Sequence, residues 1–275
     1  MKHHNLDGMH RLLPAAALAL ASNTTLDFGI AGVQKGGTTA LAELLRAHGA
    51  CVGPHEVHFF SHARSGPEPR WRTVHDRATR ACAAAQPRGF DDPAFSFYGA
   101  GAPAEVAGLA ALAPGLRLVL VLREPIQRAR SQHGMMAAGA KSRRVLRGRP
   151  LEVLARDELA RNGTRDPYDV VRRGLYHEQV EALAGFDLHV AVAERLFAGG
   201  YGAVFRFVGL EPPATYADVF RRRTKAPSAL SPAALELLAA AYRGPTDRLY
   251  GAIGVVPEWE RWYADRGLPA TRVRR

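Results

Sequence analysis

The 275-residue chain carries 37 Lys and Arg against 26 Asp and Glu, a formal net charge of +11 at pH 7. An anionic partner is therefore the first to consider: nucleic acid, an acidic membrane face, or a phosphorylated or acidic small molecule. Its 47% hydrophobic content suffices for the core of one α/β domain, no apolar run approaches the roughly 18 residues of a membrane span, and two cysteines exclude a disulfide framework.

Residues 1–25 read as a leader. Lys2, several His and Arg11 precede "LLPAAALALAS", an apolar run of signal-peptide length that ends in small residues, while Asp7 and Pro14 weaken that reading. A cleaved targeting segment and a frayed helical leader both stay open, and the domain is expected to span residues 26–265, followed by a basic tail at 266–275. "LDFGIAGV" reads as a strand that runs into the loop "GVQKGGTT", and "TTALAELLRAHG" has helical spacing and a terminal Gly49. "EVHFFS" reads as a short strand or edge segment. Residues 62–93 read as irregular around a helix in "WRTVHDRATRACAAA", and Cys51 and Cys82, which lack metal spacing, as small buried or half-buried thiols.

"AEVAGLAALAPG" is a helix stopped by Pro114 and Gly115. The near-continuous apolar run "LRLVLVL" suits a central parallel strand buried on both faces, and "PIQRARSQHGMMAAGA" a helix opened by proline. Residues 140–166 are basic and loop-like around a helix "LEVLARDELAR". "YDVVRRGLYHEQVEALAGF" reads as helix, "DLHVAVA" as strand, "AVFRFVGL" as helix and "SPAALELLAAAYRGPTDRLYGAIG" as a closing helix. Strands alternating with helices predict a three-layer α/β/α fold with a central parallel sheet.

The loop after the first strand nearly matches the phosphate-cradling pattern G-x-x-x-x-G-K-[ST]. Gly32, Gly37 and Thr39 fall on its glycines and hydroxyl, but Thr38 takes the lysine slot and Lys35 stands inside the turn. Strand "LRLVLVL" ends in Arg123, where a magnesium-holding acid would be needed for ATP chemistry. A nucleotide with a shorter 5′ chain fits better, lying over Gly36, Gly37, Thr38 and Thr39, with Lys35 beside the bond that breaks. Arg123 at a strand's carboxyl end and Ser131 in the following helix make a natural pocket for a phosphomonoester, whereas Arg128 and Arg130 read as solvent-facing.

Taken together, "VQKGGTTAL", "HEVHFF" and "LVLVLREPIQRARSQH" resemble motifs of the sulfotransferases that use 3′-phosphoadenosine 5′-phosphosulfate (PAPS), most of all the heparan-sulfate type and its bacterial relatives. The similarity continues through "RRGLYHEQVEAL", "DLHVAVAERL", "FRFVGLEP" and "EWERW", over residues 26–262. The resemblance implies that Lys35 to Thr39 hold the 5′-phosphosulfate, that Arg123 and Ser131 hold the 3′-phosphate, and that Glu56 is the catalytic base. It places His58 beside Glu56 to orient the acceptor or serve as the alternate base, and it implies no metal. Zinc binding by His55, His58 and His62 is disfavoured because H-E-x-H along a strand scatters the rings.

Two departures from the family pattern stand out. Where the family carries a lysine before a tyrosine, this chain has Ala94-Phe95-Ser96-Phe97-Tyr98, and the basic loop expected to close over the nucleotide, "RRRTKAPS", lacks glycine. Arg222 and Lys225 are its candidate contacts. The expected acceptor is a hydroxyl or amine of a glycan or natural product, possibly an acidic one, with no nucleic acid; the cytoplasm is favoured over a Golgi or secretory lumen. The rival readings are an ATP-dependent P-loop kinase and a catalytically inactive polyanion-binding module.

Overall fold

The computed structural model describes residues 26–53, 56–60, 71–76, 82, 86–139, 142, 146, 148–161, 166, 168–216 and 230–269. The leader, His55, His62, Arg222 and Lys225 lie outside the described residues. Five parallel strands form one sheet: β1 (Phe28–Ile30), β2 (Cys51–Val52), β3 (Arg88–Asp91), β4 (Arg117–Leu122) and β5 (Asp187–Val192), in the order β2-β3-β1-β4-β5. All pairings are parallel, as the α/β reading predicts.

Strand β4 shows why the sheet is buried on both faces. Its side chains alternate, so Val119 and Val121 join one apolar cluster with Leu41, Leu44 and Leu45 of the helix Thr38–Ala47. Leu120 and Leu122 point the other way, into a cluster built by the helices Pro125–Ala138, Leu151–Ala160 and Pro232–Ile253. A continuous apolar run is the sequence such a two-faced strand requires. The last of these helices starts at Ser231, whose hydroxyl accepts from the Ala234 amide at 3.1 Å. Among the described residues no helix is long and apolar enough to cross a membrane.

Several expectations are corrected. Residues 56–60 form no strand; they run as an irregular strap past the strand ends. The region read as irregular up to residue 93 contains β3, whose sequence "RGFD" carries a weak strand signal because glycine is poor in strands. Its glycine fits the packing of the β1–β3 pair. A Cβ on Gly29 would lie 2.3 Å from the Phe90 ring, and one on Gly89 would lie 2.5 Å from the Phe28 ring. Each strand thus offers a glycine as the seat for the other's phenylalanine. Residues 168–175 are bends and a 3-10 turn (Arg172–Gly174), and the helix begins only at Tyr176. A helix not foreseen, Pro257–Ala264, follows the closing one.

The cysteines are also corrected. Cys51 and Cys82 form a disulfide with their Cα atoms 5.7 Å apart, so they are not free thiols. Strand β2 has two residues and pairs only with β3, so this bond ties the sheet's edge to the excursion that follows it. Closing a loop of 31 residues removes unfolded-state entropy worth roughly 3 to 4 kcal/mol on the chain-entropy account. Reduction is therefore expected to lower the thermal midpoint by on the order of 10 °C. Scanning calorimetry with and without a thiol reductant checks it; superimposable transitions would show that the crosslink adds no stability.

Candidate active site

In an open parallel sheet, ligands bind beyond the carboxyl ends of the strands, where the chain's direction across the sheet reverses. Here that point lies at β1 and β4, because β1 leads to strands on one side and β4 begins the other. The β1–β4 pairing continues past Ile30: Ala31 N donates to Val119 O at 2.8 Å and Val33 N to Val121 O at 3.0 Å. The loop then turns back tightly, with Gly36 N bonded to Val33 O at 2.8 Å.

Two glycines make that turn possible. A Cβ on Gly36 would meet Val121 O at 2.4 Å, so the loop could not lie down on β4 with any larger residue there. Gly37 has φ 102° and leads into the Thr38–Ala47 helix without a side-chain cap. The first-turn N–H groups therefore face outward with the helix's partial positive charge behind them, and no acidic residue stands in that turn. Lys35 itself holds φ 70°, a left-handed conformation that non-glycine residues seldom adopt.

Strand β4 delivers Arg123 to the same place. Its Nη1 donates to Lys35 O at 3.3 Å, so the strand-end guanidinium reaches the glycine turn directly. The backbone around it is clamped by residues remote in sequence. Tyr176 donates its hydroxyl to Arg123 O at 2.8 Å, and Glu124 N donates to Glu194 Oε1 at 3.0 Å. Glu124 caps the next helix, accepting from the amides of Ile126 and Gln127, and also accepts from the Tyr263 hydroxyl at 3.0 Å. Burial drives the Glu124 carboxyl up to about 7 against these donors. Trp259 Nε1 donates to Glu194 Oε2 at 3.0 Å. The unforeseen Pro257–Ala264 helix thus supplies two of the groups that hold the arginine's setting.

A cleft of about 490 Å³ opens over this arrangement. Lys35, Gly37, Thr38 and Thr39 form one side, Arg123 and Ser131 another, and Glu56 faces into it. Gly36 is buried beneath the loop instead of lining the wall. His58 Nε2 stands 3.6 Å from Glu56 Oε2, both half-exposed, and His58 has φ 52°. Burial, and then the Arg123 guanidinium, lower the Lys35 ammonium, while Glu56 raises it. Burial likewise lowers Arg123. Two cations held close together and partly out of water form a site that an anion would relieve.

Arg128 departs from its expected place. It is fully buried, donating to Gln132 Oε1 at 2.6 Å and to the Val170 carbonyl, so it braces the Pro125–Ala138 helix against the turn before Arg172. Arg130 is half-buried, with Nη1 3.5 Å from Gln127 Oε1. Sequence reasoning passed over Gln34, Glu43, Pro93, Met135 and Phe197, which also line the cleft. Spacing alone could have suggested two of them, since Glu43 follows Thr39, and Met135 follows Ser131, by one helical turn. The segment Ala94 to Tyr98 forms the short helix Phe95–Gly99, and the Arg173 guanidinium stacks 4.3 Å from the Phe97 ring centroid. Arg173 also donates to the Tyr98 hydroxyl at 3.4 Å.

The residues present fit a nucleotide with anionic groups at two points. The cleft joins an uncapped helix N-terminus to a separate arginine and serine. Gln34, one of the lining residues, has its Oε1 buried with no hydrogen-bond donor among the protein's own groups. Among the described residues no group of three or more His, Cys, Asp or Glu is placed to hold a metal ion.

Comparison of the sequence with protein-family models and with curated proteins finds no match. Among solved structures, a sulfotransferase from Alicyclobacillus acidocaldarius is similar to this chain, with a TM-score of 0.65 at 20% identity, covering 85% of this chain and 98% of that one. At that identity the likeness is one of fold, and the chain has the α/β architecture of that sulfotransferase.

Proposed function

We propose that this chain is a PAPS-dependent sulfotransferase that moves a sulfuryl group to a hydroxyl, or an amine, of a carbohydrate or other natural product. The observation that carries the reading is one cleft lined by an uncapped helix start with its loop lysine, by Arg123 with Ser131, and by Glu56. The fold shared with a bacterial sulfotransferase supports it. So does Arg123 at the strand end, where an ATP-using relative would need an acid for magnesium.

PAPS, when bound, supplies a sulfuryl group already activated by its attachment to the 5′-phosphate. The first-turn amides of Thr38 and Thr39 and the Thr39 hydroxyl hold the 5′ end, and Lys35 neutralises charge growing on the oxygen that leaves. Arg123 and Ser131 hold the 3′-phosphate, the group that separates this nucleotide from AMP and ATP. Glu56 accepts the proton of the attacking hydroxyl as the new oxygen–sulfur bond forms and the old one breaks, its electron pair staying on the 5′-phosphate. His58, beside Glu56, orients the acceptor. Arg222 and Lys225 are assigned to closing over the nucleotide. Lysine is absent from the segment before Tyr98, and Lys35 is the cation assigned to the reacting end.

Titration calorimetry of adenosine 3′,5′-bisphosphate against 5′-AMP and ATP tests the proposal. The bisphosphate is expected to bind at least about tenfold more tightly than either, in the absence of magnesium. Equal affinity for all three, or binding of ATP that requires magnesium, would favour a kinase-like nucleotide site instead.

A further inference from the structure

The strap that carries Glu56 and His58 belongs to no strand, yet Glu56 must stand at a fixed place in the cleft. Two hydrogen bonds donated to consecutive aspartates hold it. Val57 N donates to Asp91 O at 3.1 Å, and Phe59 N donates to Asp92 Oδ2 at 2.6 Å. The second carboxylate oxygen, Asp92 Oδ1, accepts from Ala94 N at 3.1 Å, one residue past the cleft-lining Pro93. The amide of Asp92 donates to Ile30 O at 2.9 Å, at the end of β1 where the glycine loop begins.

One residue, 1% exposed, therefore joins three segments: the exit of β1, the strap, and the turn into the Phe95–Gly99 helix. The apolar side of the strap follows the same line. Phe59 and Phe60 lie 5.6 and 4.8 Å from the Phe95 ring, which presses the strap onto that helix. Only a carboxylate presents two acceptor oxygens to two amides on different segments; an asparagine turns one of those contacts into donor against donor. Burial raises the Asp92 carboxyl, and the Phe59 and Ala94 amides oppose the rise. Keeping an acid in so dry a place costs stability unless its bonds are needed.

We infer that Asp92 is a positioning residue of the transfer site: its carboxylate fixes where Glu56 stands relative to Lys35, without itself lining the cleft. The inference rests on the sulfuryl-transfer reading, so its test is built to separate the two. Turnover of PAPS is measured with a nitrophenyl glycoside as acceptor, or with water where no glycoside reacts. Asp92→Asn is expected to lower kcat roughly 10- to 100-fold, with KM for PAPS and the affinity for adenosine 3′,5′-bisphosphate within about twofold of the unmodified protein.

The deciding measurement is a double-mutant cycle. Once Glu56→Gln has removed the base, its placement no longer matters, so adding Asp92→Asn is expected to cost at most about twofold more. Losses that multiply would show a merely structural role and overturn the inference, as would a kcat for Asp92→Asn within about twofold of the starting protein. Should Asp92→Asn fail to fold, hydrogen exchange of the Phe59 amide in the unmodified protein decides: slow exchange supports the clasp, and exchange at the rate of a free amide overturns it. Loss of bisphosphate preference in the unmodified protein would instead sink the sulfotransferase reading while leaving Phe59 protection intact.

Discussion

Arg123→Ala is expected to erase the preference for adenosine 3′,5′-bisphosphate over 5′-AMP. The guanidinium is partly buried at the end of β4, beside Lys35, and burial already disfavours its charge. An anion placed there gains a charge-assisted bond in a site with little water, worth about 1.5 to 3 kcal/mol, or roughly 10- to 100-fold in affinity. Removing the group should weaken the bisphosphate by that factor and leave 5′-AMP nearly unchanged.

The arginine also donates to Lys35 O, so alanine could disturb the turn itself. Ser131→Ala controls for this, because Ser131 lies on the Pro125–Ala138 helix and its loss should narrow the preference by a smaller factor while sparing the loop. Calorimetry of both variants with both nucleotides reads the result. A variant that loses the two nucleotides equally would show that Arg123 supports the loop and does not read the 3′-phosphate.

Glu56→Gln is expected to reduce turnover by about 10²- to 10⁴-fold, the range that general-base catalysis contributes. The change keeps size and shape and removes only the capacity to take a proton. The bisphosphate should bind as before, because the donor's anionic groups are assigned to other residues. His58 provides the contrast, being 3.6 Å from the Glu56 carboxylate. If His58 were the base, Glu56→Gln would cost only a few-fold and His58→Ala would take the larger loss. Rates of PAPS turnover for the two single variants separate these outcomes.

Much of this site is legible before folding because its signals are local. A strand that ends in a glycine loop, a helix that follows at once, and an arginine closing an apolar run are each set by short-range propensity and chain geometry. For that reason Lys35, Thr38, Thr39, Arg123 and Ser131 could be singled out by position, and the structure brings them to one cleft with Glu56. The helix Thr38–Ala47 and strand β4 agree with their patterns for the same reason.

Several of the errors concern partners distant in the chain. Arg128 reads as a surface cation on its own helix, yet Val170 O lies 42 positions away and draws it inside. Strand β3, with Arg, Gly and Asp among its four residues, does not look like a strand until Phe28 and Phe90 are seen resting on Gly89 and Gly29. The strap at 56–60 has strand-like composition, but after one backbone bond, from Val57 N to Asp91 O, the Phe59 amide goes to the Asp92 carboxylate and no strand forms. Nor could spacing pair Cys51 with Cys82 across an excursion of 31 residues.

The sequence by itself therefore determined the α/β class, the glycine loop ahead of the first helix and the charged residue at the end of β4, since those follow from periodicity and turn chemistry within a few residues. Tertiary structure alone decided which carboxylates hold the strap and the arginine in register. Asp92, Glu124 and Glu194 each satisfy donors brought in from other segments, and a buried charge is tolerated only where folding supplies those donors.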